Sequence, residues 1–321
     1  MDFAQVRGFN YQPSYGGHAM QLWENFDEAA VRRELSWGKK YFPGFNTVRL
    51  WLSWNYWKYD KIGAMDKIKR YLAAAEDANL MIVPVLFNRW HDVCLDWGGL
   101  YLDHFIKGTF CEDRGSLIEF AEQVTRTFAS HESILVWDMC NEPFSYGCAS
   151  IEGILQELQQ LELDWLTETY HAMKAIDQIH PVSVSPAAIR GVEDTITLNE
   201  ISDVHLIHPY FWDDVDNPQH RCNFEEKLDR FVAYREKTGK PMLTTETCWG
   251  SMDDANRVRI MRYTLQEHKK RELGWLAHAL QESYVADLHG ADKAPVGDPG
   301  ILYFVDMQGR LRPGHDAFNE Y

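Results

Sequence analysis

The alternation of short apolar runs and longer amphipathic stretches along this chain predicts a (β/α)8 TIM barrel, formed as one domain by residues 1–321. Three observations carry the prediction. Eight runs have the length and composition of strands. Several are almost continuously apolar, as strands are when helices cover both faces of a parallel sheet. The stretches between them place apolar residues at helical spacing. A chain of 321 residues, 45% hydrophobic and 25% charged, has enough apolar material for one large core.

In order, the first strand is VRGFNY (6–11), which runs into NYQPSYGGHAM. The Gly16–Gly17 pair there lacks the spacing of a phosphate-binding turn and precedes no evident helix, which favours the barrel over a doubly wound open sheet. NTVRLWL (46–52) is the second strand. A helix over 64–78 follows, with Ile68, Leu72 and Ala75 on one face and Asn79 as its stop. LMIVPVLF (80–87) and ILVWDMC (134–140) are the third and fourth strands. A helix over 154–176 then presents Leu158, Leu161, Trp165, Ala172 and Ile176. PVSVS (181–185) and DVHLIHP (203–209) come next, then a helix over 223–236 built on Phe224, Leu228, Phe231 and Val232. PMLTTE (241–246), a helix over 255–270, GWLAHAL (274–280) and a helical 313–321 complete the chain. The connection over 88–114 and the segment after the eighth strand are long, and connections of that length are uncommon unless they serve a site.

The net charge of −16 leaves no basic stripe to neutralise phosphates, which excludes nucleic acid as a partner. No run is long enough to span a membrane, and the N-terminus has no basic-then-apolar leader, so a cytoplasmic location is expected. Six cysteines show neither CxxC pairs nor zinc spacing, and Cys140 and Cys248 fall at strand ends as small apolar fillers. No metal or organic cofactor is expected.

Barrel enzymes carry their working groups at the C-terminal ends of the strands. There the fourth strand delivers Asn141 and Glu142, and the seventh delivers Glu246. Two carboxyls facing each other across a barrel mouth are what cleavage of a glycosidic bond requires: one protonates the leaving oxygen and the other attacks the anomeric carbon. Arg49 from the second strand and Tyr210 after the sixth, if they point at Glu246, would hold it ionised as the nucleophile. Glu142, beside Asn141 and His208, reads as the acid. His205, three residues before His208 on a strand, faces the other way and reads as structural. Twelve Trp, fifteen Tyr and sixteen Phe add a second signal. Many fall in the predicted mouth loops, among them Trp51, Trp54, Tyr56, Trp57, Trp90, Trp97, Phe211, Trp212 and Trp249, where flat rings suit the C–H faces of sugars.

In RGFNY (7–11), NTVRLWLSW (46–54), VWDMCNEPF (136–144), HPYF (208–211), TETCWG (245–250) and the closing DPGILYFVDMQGRLRPGHDAF (298–318), the chain resembles the retaining β-glycosidases of glycoside hydrolase clan A, family 5 (cellulase-like) above all. The resemblance implies Glu142 as acid/base, Glu246 as nucleophile, Asn141 on the sugar 2-hydroxyl, His208 and Tyr210 flanking the reacting centre, and Arg49 supporting the nucleophile. It also implies a substrate-binding histidine after the third strand, met here by His91, although Arg89-Trp90-His91 departs from the usual wording. The family presents a tryptophan floor on its eighth strand, where this chain has His278, three residues beyond Trp275. The expected activity is exo-cleavage of short β-linked oligosaccharides or β-glycosides. An endo-acting cellulase or mannanase and a non-catalytic sugar-binding barrel are the alternatives.

Overall fold

The computed structural model describes residues 2–89, 100–145, 152–187, 190–290, 292–293 and 300–321. All eight strands form: β1 (Arg7–Tyr11), β2 (Thr47–Trp51), β3 (Met81–Asn88), β4 (Trp137–Asn141), β5 (Val182–Ser185), β6 (His205–Ile207), β7 (Met242–Thr247) and β8 (Gly274–Ala277). They pair in parallel in the order β5-β4-β3-β2-β1-β8-β7-β6. The ring closes between β5 and β6 through a parallel bridge from Ala187 to His208 and a 2.9 Å bond from the Asp203 amide to the Val182 carbonyl. Val6, Val83, Val136, Leu206, Leu243 and Leu276, from six different strand segments, pack together as an apolar plug near the strand starts.

Outside the sheet, helices run over Glu28–Tyr41, Lys61–Asp77, Arg114–Phe128, Glu152–Ile176, Pro218–Thr238 and Asp254–Lys270. The helix Lys61–Asp77 buries Ile68, Leu72 and Ala75 as its spacing predicts, and Asn79 ends it in a left-handed conformation at φ 53°. β1 carries the tightest contact of the barrel. A Cβ on Gly8 would stand 1.8 Å from the Thr47 carbonyl oxygen, so only glycine lets β1 lie this close to β2. One residue on, Phe9 is fully buried against Phe42, Phe45, Phe304 and Phe318, with ring centroids 4.5–5.2 Å away. That cluster ties the closing segment of the chain to the first strand.

Four expectations change. Gly16–Gly17 does lead into a helix, the short Ala19–Glu24, whose cap is the His18 imidazole rather than a Ser, Asp or Asn. The C-terminal helix is a 3-10 segment, His315–Glu320. The eighth strand ends at Ala277, short of the predicted 280. In the helix Glu152–Ile176, Leu161 is exposed and the charged Glu162 is buried instead. Glu162 turns inward to accept from Arg89 Nε at 2.7 Å and from the Phe144 amide at 3.1 Å, and a buried ion pair outweighs the apolar pattern there. Cys140 and Cys248 are buried free thiols, as expected. Among the described residues, no helix is long and apolar enough to cross a membrane.

Candidate active site

Strict alternation along a strand would send Asp138 and Asn141, three residues apart, to opposite faces. Both point into the barrel, because β4 carries one more residue than β5 in this stretch: Asp138 pairs with Ser183 and Asn141 with Ser185. β7 does the same against β8, where Thr244 pairs with Trp275 and Thr247 with Ala277. The extra residue lets the neighbouring Thr245 and Glu246 both serve the mouth. Bulges of this kind re-aim side chains beside active sites. Glu142 follows the β4 bulge with a left-handed backbone, φ 47°, held by its amide on the Ser185 carbonyl at 2.7 Å.

Arg49 of β2 is the hub. It is fully buried and its guanidinium is saturated. Nε donates to Asp138 Oδ2 at 2.9 Å, and Nη2 lies 2.7 Å from the same oxygen. Nη2 also reaches Asn141 Oδ1 at 2.7 Å and Ser185 Oγ at 3.0 Å. Nη1 donates to Asn10 Oδ1 at 2.9 Å and to Glu246 Oε1. Asn10 in turn donates to the Thr245 carbonyl at 2.8 Å, and Asn141 to Asn88 Oδ1 at 2.9 Å. Five strands therefore fix the plane of one cation, and that plane aims one edge at Glu246.

The second oxygen of Glu246 accepts from the Tyr210 hydroxyl at 2.8 Å. His208 Nδ1 lies 2.7 Å from Glu142 Oε1 and 3.7 Å from Glu246 Oε2, while its Nε2 meets Thr245 Oγ1 at 3.0 Å. His278 Nδ1 stands 3.9 Å from Glu246 Oε2. Burial alone would raise the pKa of Glu246. The positive charge of His208, His278 and Arg49 and the Tyr210 hydroxyl overcome that and hold it down at about 2. A donor oxygen of Glu142, one of Glu246 and a ring nitrogen of His208 lie within 4.8 Å of one another. This is the one grouping among the described residues that could hold a cation, but Arg49 and Tyr210 already bond the Glu246 oxygens.

A cavity of about 300 Å³ opens over these groups. Asn88, Asn141, Glu142, His208, Tyr210, Glu246 and His278 line its polar end. Its other wall is made by the segment after β1 and the elements beneath it: Tyr15, His18, Leu22, Trp23, Phe26 and Tyr71. A buried carboxyl anchors this wall. Glu34 accepts from the Tyr11 hydroxyl at 2.7 Å, from the Ser14 hydroxyl at 2.6 Å and from the Ser14 amide at 3.2 Å.

Of the ten residues expected at the site, Glu142, Glu246, Arg49, Asn141, His208, Tyr210, Trp249 and His278 converge here, Arg49 from beneath; Trp90 and His91 lie outside the described residues. The aromatic expectation divides. Trp51, Trp212 and Trp249 line the cavity. Trp54, Tyr56, Trp57 and Phe211 are buried packing residues: Trp57 packs at a tilt against Phe120, and Phe211 packs on Phe224 and Tyr263. Trp275 faces outward under the Arg7 guanidinium. His205 also faces outward, with Nε2 on Thr238 Oγ1 at 2.9 Å. Asp138, Asn10, Ser185 and Thr245 were not anticipated, because single polar residues inside apolar runs carry no signal of a shared partner. The Tyr15–Tyr71 wall was missed because its helix is short and unusually capped.

No protein-family model matches the sequence, and no curated protein matches it. Solved structures do. The exo-β-1,4-mannosidase Op5Man5 from Opitutaceae bacterium strain TAV5 superposes with a TM-score of 0.75 at 17% identity, over 98% of this chain and 58% of that one. This chain therefore spans little more than half the length of that mannosidase. GH5_18 from Bifidobacterium longum, solved in complex with Manβ1-4GlcNAc, gives 0.70 at 17% identity over 98% of this chain and 76% of that one. The endo-1,4-β-D-mannanase of Thermotoga petrophila RKU-1 gives 0.68 at 15% identity over 98% of both chains. The chain has the barrel fold of the family 5 glycoside hydrolases.

Proposed function

We propose that this protein is a retaining β-glycosidase in which Glu246 is the nucleophile and Glu142 the general acid and base. The observation that carries the reading is the approach of a Glu142 oxygen to a Glu246 oxygen within 4.8 Å. Retaining enzymes hold their carboxyls about 5 Å apart, whereas inverting ones leave room for a water between them.

In the first step Glu246 attacks the anomeric carbon. The bond from that carbon to the leaving oxygen breaks, and Glu142 gives its proton to that oxygen. The product is an ester between the sugar and Glu246. In the second step Glu142 takes a proton from water, the water oxygen joins the anomeric carbon, and Glu246 leaves as a carboxylate. His208 Nδ1–H donates to Glu142 Oε1, which leaves the other oxygen to handle the proton. Tyr210 and Arg49 keep one Glu246 oxygen each in place for in-line attack. Asn141, held by Arg49 and Asn88, presents its amide beside the reacting sugar.

The cavity wall formed by Trp23, Phe26 and Tyr71 favours exo-action on short oligosaccharides, with β-mannosides the first class to test because neighbours in fold are named for them. Hydrolysis of a panel of aryl β-glycosides and of β-1,4-mannobiose tests the activity. Rapid cleavage of long polysaccharide with none of aryl monosaccharides would replace exo- with endo-action. Glu246→Ala should abolish turnover, and azide should restore it as the glycosyl azide of inverted configuration. Unchanged activity in that variant would remove Glu246 from the mechanism.

A further inference from the structure

The Arg49 guanidinium serves two carboxylates at once, Glu246 in the cavity and Asp138 beneath it. Asp138 is fully buried and grips the Nε/Nη2 edge, and Ser185 Oγ lies 2.9 Å from each of its oxygens. Nothing in the covalent steps requires this second acid. Had Arg49 no other counter-ion, its whole charge would rest on Glu246. A carboxylate so paired is a poor nucleophile and a good leaving group, because attack dissipates the negative charge that the cation stabilises and departure restores it.

We infer that Asp138 is a positioning residue that divides the Arg49 charge and so sets the balance between the two steps, favouring formation of the glycosyl–Glu246 ester at the expense of its breakdown. The inference rests on the retaining reading proposed above. It makes a signed forecast. Asp138→Asn keeps the shape but removes the charge, so the potential at Glu246 becomes more positive. Ester formation then slows and ester breakdown quickens, each by about three- to tenfold for a unit charge one guanidinium away at an interior effective dielectric. A variant that merely loosened the site would slow both.

The experiment is rapid-quench kinetics with a 2,4-dinitrophenyl β-glycoside that the wild type hydrolyses. The burst of dinitrophenolate reports the first step and the steady rate the second, with mass spectrometry of the trapped ester on Glu246. The expected result for Asp138→Asn, on a substrate for which ester breakdown limits the wild type, is a slower burst with a raised steady rate. Equal slowing of both steps, or no change in either, overturns the inference while leaving the Glu246 ester in evidence. Absence of any ester on Glu246 in the wild type removes the retaining reading and this inference with it. Should Asp138→Asn not yield folded protein, Asn10→Asp carries the test. It puts a second carboxylate on Nη1 of the Arg49 guanidinium, where the Asn10 amide oxygen now accepts at 2.9 Å, so the ratio of step rates should move the other way, and an unmoved ratio overturns the idea.

Discussion

Replacing Glu246 by glutamine should alter the pH dependence of folding as well as catalysis. Glu246 sits among His208, His278, Arg49 and Tyr210, which hold its pKa at about 2 against an ordinary 4.5. At about 1.4 kcal/mol per pH unit, that gap makes the ionised form worth about 3 kcal/mol to the folded state. The folded-state pKa is the depressed one. The contribution is therefore complete above the unfolded-state value near 4.5, and is lost as the pH falls from there toward 2. Between about pH 5 and about pH 3 the wild type should lose about 2 kcal/mol more than Glu246→Gln, which has no proton to take up. Urea unfolding of both proteins across this range, read by tryptophan fluorescence, measures the difference. Curves that run parallel throughout, or that separate only near neutrality, would refute the electrostatic account of this carboxylate.

Four further outcomes are expected. Glu142→Ala should lose about a thousandfold or more on substrates with poor leaving groups, yet hydrolyse dinitrophenyl glycosides far better, because general acid catalysis matters only where the leaving oxygen needs a proton; a leaving-group series measures it. Tyr210→Phe removes the 2.8 Å bond to Glu246 Oε2 and should lower kcat/KM by about ten- to a hundredfold, the usual worth of a hydrogen bond to a charged group. Phe9→Ala should cost about 3–5 kcal/mol in chemical denaturation, since four rings close on that side chain. Glu34→Ala leaves Tyr11 and Ser14 without their acceptor and should raise KM more than it lowers kcat, as the wall over 12–18 loosens; an unchanged KM would show that this wall does not touch substrate.

The eight strands were legible because each is an apolar run too short for a helix, and burial on both faces leaves few other compositions for a parallel strand. The placement of the two acids at the barrel mouth was legible because each ends an apolar run, and strand ends of a barrel meet at one face; either one alone would read as a solvated loop residue. What the chain did not disclose is register. Nothing in WDMCNEPF announces that Asp138 and Asn141 share a face, since that follows from pairing with Ser183 and Ser185 some forty residues away. Nor can composition separate a rim tryptophan from a packing one: Trp51 and Trp57 sit in the same stretch, yet Trp51 lines the cavity and Trp57 is covered by the helix Arg114–Phe128. Charged residues at buried helical positions misled the apolar pattern: Glu34 sits on the buried face of the helix Glu28–Tyr41, which the sequence did not disclose, and Glu162 takes the place on its helix that Leu161 was expected to hold, because each is fixed by a tertiary donor that no local pattern contains.

The bulge in β4 makes the packing around the site depend on a count of residues as much as on their identity. Two residues, Met139 and Cys140, stand between Asp138 and Asn141 where plain alternation allows one, and both are fully buried. A single codon removed there would keep Asp138 and Asn141 on one face, opposite Ser183 and Ser185, but would take a side chain out of the core, so such a deletion should cost folding before it costs the placement of the acid that follows.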